Sequence, residues 1–459
     1  MRRLLYADLE KWKETPTHLP VILQGARQCG KTWLLKTFGE NAFEDCAYFN
    51  FEHTPQLKDI FASDLDVHRI VSTLSLLRKK TIETGKTLVI FDEVQMCPRA
   101  LTALKYFAED LPALHIAAAG SLLGVALSQM GAGNSYPVGK VKTLTLRPLN
   151  FEEFLLAHNE DLLIDHVRTN PYDEAVQTIF APRLESLLRD YLITGGMPAS
   201  VQAWITSGNI GEVEEILTSI AADYEKDFVK YAHASEYPKL LAVWEGIPAQ
   251  LARDNRKFVF SRIKTGARAR DLEDALYWLL GAGIVQKVAK IERPLVPCSA
   301  YADLSYFKMY LSDVGILRKL AGFGTDVLFS SDEATAYIRG MLTENFVLSE
   351  LLASALGSAG VWFWRSNNSA EVDFVIQCGS SVVPIEVKAG KNTRSRSLGE
   401  YRKKFAPAAA LRLSLMPAGV HKDNFGTVVD LPLYLLWAGE KYLSGALSGQ
   451  SGEIKGAIV

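Results

Sequence analysis

Short apolar runs alternate with segments of helical periodicity over the first 150 residues. The runs are "VIL" (21–23), "CAYFNFE", "LVIF" (88–91), "LHIAAAGS" and "VKTLTLRPL". Continuous apolar runs suit strands buried on both faces, and the intervening helical spacing predicts a parallel, doubly wound sheet over 1–150. From Phe151 to about residue 235 the spacing is helical throughout, in "FEEFLLA", "RLESLLRDYLI" and "VEEILTSIAADYEKDFVKY", with a break at "GGMP" (195–198). Residues 236–311 read as helices followed by "LEDALYWLLGAGIVQKVAKI", a helix that ends at Gly281 and Gly283 and gives way to a strand. That order predicts a winged helix. In 312–441, "EVDFVI" and "VVPIEVK" alternate apolar with charged positions, so each predicts a strand with one apolar and one charged face. A Gly/Ser-bearing tail from Tyr442 to residue 459 predicts a flexible end.

Composition changes this picture little. The 459 residues carry a formal charge of -2, so attraction to nucleic acid has to come from local patches. Cys29, Cys46, Cys97, Cys298 and Cys378 lack CxxC spacing and read as free thiols of a reducing compartment. No apolar run reaches membrane-spanning length, and the N-terminal "MRRLLYADLEKWKE" reads as an amphipathic helix without a cleavage site. The expectation is a cytoplasmic protein without membrane contact.

The most specific chemistry lies in "LPVILQGARQCGKTWLLKTF". Strand, glycine loop and helix follow one another, so the amides of Gly25, Ala26, Arg27, Gln28, Cys29 and Gly30 can wrap phosphate oxygens at the positive end of a helix. Lys31 would meet the outer phosphates of ATP and Thr32 a magnesium ion. Downstream, Asp92 and Glu93 end an apolar strand: Asp92 would hold the magnesium through water, and Glu93 would orient or deprotonate the attacking water. Ser121 is either a sensor of the terminal phosphate or a helix N-cap. Arg27 and Arg147 read as phosphate or subunit-interface arginines, or as ordinary surface charges.

The charged faces of "EVDFVI" and "VVPIEVK" raise a second question. A two-residue turn at Gly379-Ser380 would place Asp373 opposite Glu386 and Glu371 opposite Lys388. Like charges about 5 Å apart destabilise a strand pair unless a cation is shared between them. Asp373 and Glu386 therefore read as ligands for magnesium or manganese, with Lys388 beside them to stabilise a pentacovalent phosphate. Glu344, in helical register with Met341, Leu348 and Leu351, would point inward from the preceding helix. The alternatives are ion pairs, Glu371 with Lys388 and Glu344 with Arg365, and an edge strand marked by Pro384. Two basic runs could face DNA phosphates: Arg253, Arg256, Lys257, Arg262, Lys264, Arg268 and Arg270, interleaved with Phe258 and Phe260, and then Lys391, Arg394, Arg396, Arg402, Lys403 and Lys404. The first run reads equally well as a solvated helix face.

"GARQCGKT", "LVIFDEVQ", "AAGSLLGVAL", "SYPVGKV", "LRPLNFEEFL", "YLITGGMPASVQ", "FKMYLSDVGIL" and "LTENFVLSELL" together resemble the microbial AAA-family ATP-binding proteins that carry a C-terminal domain of unknown function 4143. The resemblance spans nearly the whole chain. It implies an α/β multidomain protein: a P-loop AAA+-type ATPase core (1–150), a helical lid (151–235), a winged-helix-like domain (236–311), and a restriction-endonuclease-like domain similar to PD-(D/E)XK nucleases (312–441). A ring-like homo-oligomer is a further implication, with no arginine finger assigned. The expected function is ATP hydrolysis coupled to a DNA-binding domain that cleaves DNA with a divalent metal. One rival is a signalling or scaffold ATPase whose C-terminal fold only binds a partner. The other is a P-loop kinase, which Glu93 beside Asp92 argues against.

Overall fold

The structure is a computed structural model that describes residues 1–128, 136–253, 256–329, 335–366, 370–391 and 395–447. Two compact units emerge, residues 1–148 with 276–284, and residues 149–275 with 285–459.

In the first unit β1 (Val21–Gln24), β2 (Asp45–Asn50), β3 (Thr87–Asp92), β4 (His115–Ala119) and β5 (Lys142–Thr145) form a sheet of order β2-β3-β4-β1-β5. Every neighbouring pair is parallel. Strand alternation splits the core between the two faces. Ile22, Val89, Phe91, Ile116 and Ala118 pack on one face, and Val21, Leu23, Leu88, Ile90, Ala117 and Ala119 on the other. Both faces are thus covered, which is why these strands read as unbroken apolar runs. Residues 276–284 join this unit; a Cβ on Gly124 would lie 2.7 Å from the Gly281 carbonyl.

The second unit is built on an eight-stranded mixed sheet of order β12-β13-β11-β10-β9-β8-β6-β7. Its strands are β6 (Val285–Ile291), β7 (Ala302–Leu311), β8 (Val361–Arg365), β9 (Glu371–Cys378), β10 (Ser381–Val387), β11 (Ala409–Ser414), β12 (Gly419–Asp423) and β13 (Gly426–Pro432). Residues 236–311, expected as a winged-helix-like domain, supply β6 and β7 of this sheet. The strand expected after Gly283, β6, is hydrogen-bonded antiparallel to β7 and in parallel to β8, Ala289 opposite Trp362. Residues 276–284 meanwhile belong to the other unit. Local periodicity shows a strand here and cannot show a partner strand so far downstream.

The 151–235 segment is helical as read, through Phe151–Ala157, Asp161–Thr169, Ala181–Thr194, Pro198–Ser207 and Ile210–Tyr231. A capping box sets its start: Asn150 Oδ1 accepts from Glu153 N at 2.9 Å while Asn150 N donates back to Glu153 Oε2 at 3.3 Å. Phe151 packs against Tyr191 and against Phe346 of the helix Ala336–Ala353, so these helices share a core with the large sheet's unit. The "GGMP" break has a specific partner. Gly195 adopts φ +66°, and the buried Asp313 carboxylate accepts from Gly196 N at 2.6 Å and Ile316 N at 2.9 Å. Burial pushes Asp313 up to about 6 in spite of those donors. Asp313→Ala leaves two buried N–H groups without that acceptor, so a loss of about 2–4 kcal/mol is expected. Urea unfolding followed by tryptophan fluorescence measures it, and an unchanged midpoint would refute the assignment.

The predicted flexible tail starts too early. Gly439–Leu447 is a helix with Tyr442 and Leu443 buried, and the Tyr442 hydroxyl donates to the Pro171 carbonyl. The rest of the tail, 448–459, lies outside the described residues, as does Arg394. Among the described residues no helix is long and apolar enough to cross a membrane, and all five cysteines are unpaired.

Candidate functional site

β1 leads straight into the glycine loop. Gly25 sits at φ +146°, and a Cβ there would lie 2.0 Å from the Leu146 carbonyl oxygen, so any larger residue would push the loop off β5. Gln28 at φ +66° and Gly30 at φ +98° turn the chain through left-handed backbone into the helix Lys31–Ala42. Gly30 caps that helix without a side-chain bond, which leaves the first-turn amides to serve an anion. Lys31 is buried, and its Nζ donates to Gly25 O at 2.9 Å, Ala26 O at 2.8 Å and Ser121 Oγ at 3.2 Å. Ser121, just beyond β4, is thereby brought to the phosphate lysine.

The end of β3 completes the site. Asp92 is buried and accepts three hydrogen bonds: Thr32 Oγ1 at 2.9 Å and Tyr48 OH at 2.7 Å on Oδ2, and Glu93 N at 3.0 Å on Oδ1. Burial, reinforced by the bond to Asp92, pushes Tyr48 up to about 12, so it remains a donor. Glu93 occupies left-handed backbone at φ +50°, ψ +42°, an uncommon conformation for a non-glycine residue. Gln95 Nε2 donates to Glu93 Oε2. Burial first, then the neighbouring Asp92 charge, raises the Glu93 carboxyl above its ordinary range. The donor set fits a magnesium nucleotide: a threonine hydroxyl bonded to a buried aspartate, a lysine bonded to the loop, and a loop cradle that a Cβ would fill.

Sequence reading missed four supports of this site. Arg3 is buried and donates to Cys29 O at 2.7 Å and Arg147 O at 2.5 Å, tying the N-terminal segment to the loop and to the exit of β5. Tyr48 and Gln95 hold the two carboxylates. Gly283 comes against the loop, where a Cβ would lie 3.4 Å from Ala26 N. Tyr48 carried a signal, since it lies near the C-terminal end of the strand paired with β3, two residues before Asn50, which stands opposite Asp92. Arg27 and Arg147 are half-buried, so neither is the plain surface charge that was one reading of them.

In the second unit the hairpin has the register read from the turn: Ser381 pairs with Cys378 and Ile385 with Phe374, around Gly379 at φ +59°. Pro384 does not mark an edge. β10 lies between β9 and β11, and its pairing with β11 begins only at Ile385, so the missing N–H faces no neighbour. Asp373 Oδ2 accepts from Val387 N at 2.8 Å. Glu344 is buried and receives Tyr310 OH at 3.3 Å. Burial, with the Asp373 charge next, pushes Glu386 up to about 7, and burial raises Asp373 as well.

These carboxylates already have cations. Arg256 Nη1 pairs with Glu344 Oε1 and lies 3.9 Å from Asp373 Oδ1, while Lys388 Nζ pairs with Glu386 Oε1 at 2.8 Å. Among the described residues no group of three or more His, Cys, Asp or Glu side chains is placed to hold a metal. The predicted set Glu344, Asp373 and Glu386 therefore does not fit a divalent cation as arranged. Both ion-pair alternatives are corrected too. Glu371 meets Lys308 at 2.5 Å and Arg365 at 2.9 Å, not Lys388, and Arg365 is not the partner of Glu344. Burial alone would raise Glu371, but those two cations hold it below its ordinary range.

The basic runs are thinner than they read. Besides Arg256, Lys257 lies over the Tyr306 ring at 4.0 Å, and the buried Phe258 stacks on Phe307. Arg402 is buried, held to Asp423 at 3.0 and 2.5 Å. Arg253, Arg262, Lys264, Arg268, Arg270, Lys391, Arg396, Lys403 and Lys404 remain exposed.

Residues 17–155 match a family model described as an AAA domain, 185–327 one described as a domain of unknown function (DUF8612), and 339–434 another (DUF4143). Curated protein sequences give no match. Among solved structures, the Walker-type ATPase paby2304 of Pyrococcus abyssi is 15% identical, with 70% of this chain and 95% of that one covered, at a TM-score of 0.45. The Orc1 protein of Aeropyrum pernix in complex with DNA is 14% identical, covering 70% and 93% at 0.26. AMPPCP-bound DnaA from Aquifex aeolicus is 14% identical, covering 60% and 86% at 0.28. The loop, Thr32–Asp92 and Lys31–Ser121 geometry all lie within the region, residues 17–155, that matches the AAA domain model.

Proposed function

We propose that this chain hydrolyses ATP and couples the cycle to a DNA-binding C-terminal unit similar to PD-(D/E)XK nucleases. One observation carries the ATPase part: a buried Asp92 bonded to Thr32 directly before a half-buried Glu93 whose carboxyl is raised above its ordinary range. The loop amides and Lys31 bind and orient the outer phosphates, and Ser121 reaches the terminal one. Thr32 and Asp92 would hold a magnesium ion, which when bound neutralises phosphate charge. Glu93, steered by Gln95, takes the proton of the attacking water. The helices of 151–231 act as a lid in this reading, and assembly into a homo-oligomer is part of it.

The DNA part is supported by the exposed cations of 253–270 and 391–404. Metal-dependent cleavage at Asp373, Glu386 and Lys388, its finest form, requires that their ion pairs first be released. The ion pairs at those carboxylates favour a second reading, an ATPase whose C-terminal unit binds DNA or a partner without cutting. The test is fluorescence anisotropy with duplex DNA over a salt series. Arg262→Ala/Lys264→Ala/Arg268→Ala is expected to flatten the log–log salt slope by up to about 1 for each phosphate that the three side chains neutralise in the wild type. An unchanged slope would remove this segment from the DNA surface.

A further inference from the structure

Glu344 on the helix Ala336–Ala353 and Asp373 on β9 open on a cavity of about 430 Å³ shared with Arg256, Arg339, Lys388 and Gly390. Arg256 reaches it from the segment after the helix Tyr237–Leu251, with 19% of its side chain exposed. Its Nη1 meets Glu344 and stands 3.9 Å from Asp373. Its other terminal nitrogen, Nη2, lies beside Gly340 of that helix, 3.4 Å from where a Cβ would stand. A guanidinium beside two carboxylates offsets their mutual repulsion as a bound metal would, here by a close pair with Glu344 and a longer-range attraction to Asp373.

We propose that Arg256 is a tethered cation that occupies the position between Glu344 and Asp373, keeps divalent metal out of the resting protein, and must withdraw before metal can enter. This inference rests on the nuclease-like reading of the C-terminal unit. Magnesium needs oxygen ligands at about 2.0–2.1 Å in near-octahedral array, so it cannot share the two carboxylates with an inserted guanidinium. Arginine stays charged in proteins, so the guanidinium does not leave by losing its proton. Its exit requires an anion that competes for the guanidinium, or a shift of its segment. Lys388, just after β10, plays the matching part for Glu386 near the end of that strand.

The test is calorimetric titration of Mn2+ into the full chain without nucleotide. Arg256→Ala is expected to bind Mn2+ at least about 10-fold more tightly than wild type, because a unit positive charge a few ångströms from the ligands is gone. The gain is expected to vanish in Arg256→Ala/Asp373→Ala, which also subtracts binding elsewhere on the chain, and to be absent from Arg256→Lys. Equal Mn2+ affinity in wild type and Arg256→Ala overturns the proposal. If the alanine variant does not fold, Arg256→Gln supplies the same uncharged comparison with much of the volume kept. Plasmid nicking by the same proteins separates the two readings. Mn2+ gained without nicking upholds the tethered cation and ends the nuclease reading; nicking by wild type that Arg256→Ala does not increase overturns the tethered cation and keeps the nuclease.

Discussion

Lys31→Ala is expected to lower kcat/KM for ATP by about 10²–10³-fold, the loss typical when one preorganised charge is taken from a transition state. The ammonium is already aimed, because Gly25 O, Ala26 O and Ser121 Oγ hold it against the loop before any phosphate arrives. That preorganisation is why the effect falls on catalysis as well as binding: the lysine need not be recruited from solvent, and negative charge moving onto the outer phosphate oxygens meets a cation already in place. Removing it also leaves three oxygens short of a donor. Thermal unfolding of the variant is therefore measured beside turnover, and Lys31→Met, which keeps most of the apolar stem, separates lost charge from loosened packing. Turnover equal to wild type in a folded variant would end the ATPase assignment.

The parts of this molecule legible from sequence are those whose partners lie close along the chain. The glycine loop, the helix after it and the Asp92–Glu93 strand end each fit within one strand–turn–helix unit. The hairpin register followed from a turn whose Gly379 adopts the positive φ that such a turn uses. What sequence did not show depends on distant partners. Arg256 looked like one cation among many because Glu344 and Asp373, its counter-charges, come from a later helix and strand. Arg402 was misread for the same reason: Asp423 lies across a helix and a strand from it. The place of β6 in a large sheet was not legible because its parallel partner β8 lies far downstream. Arg3, near the chain start, supports a loop and a strand exit that no local pattern connects to it.

Glu93→Gln separates chemistry from binding. The substitution keeps the size of the side chain and leaves Lys31, Thr32 and Asp92 untouched, so nucleotide affinity is expected to hold while kcat falls by about 10²–10⁴-fold, the usual worth of a positioned general base. A pH signature follows from the burial that raises the Glu93 carboxyl. The base works only when ionised, so kcat/KM for the wild type should fall as pH drops through that elevated pKa, at a pH above the ordinary carboxylate range. In Glu93→Gln that limb should disappear, leaving a flat residual rate. The left-handed backbone at Glu93 gives the test its sharpness. A non-glycine residue is held there at a cost of order 1 kcal/mol, and the conformation carries the carboxylate out of line with the strand while Gln95 holds one of its oxygens. If Glu93 were only a solvated strand end, its replacement by an isostere would leave both turnover and pH profile unchanged. If it were the base of a kinase, the lost activity would be transfer to an acceptor, and wild-type ATP turnover in water alone would already have been negligible.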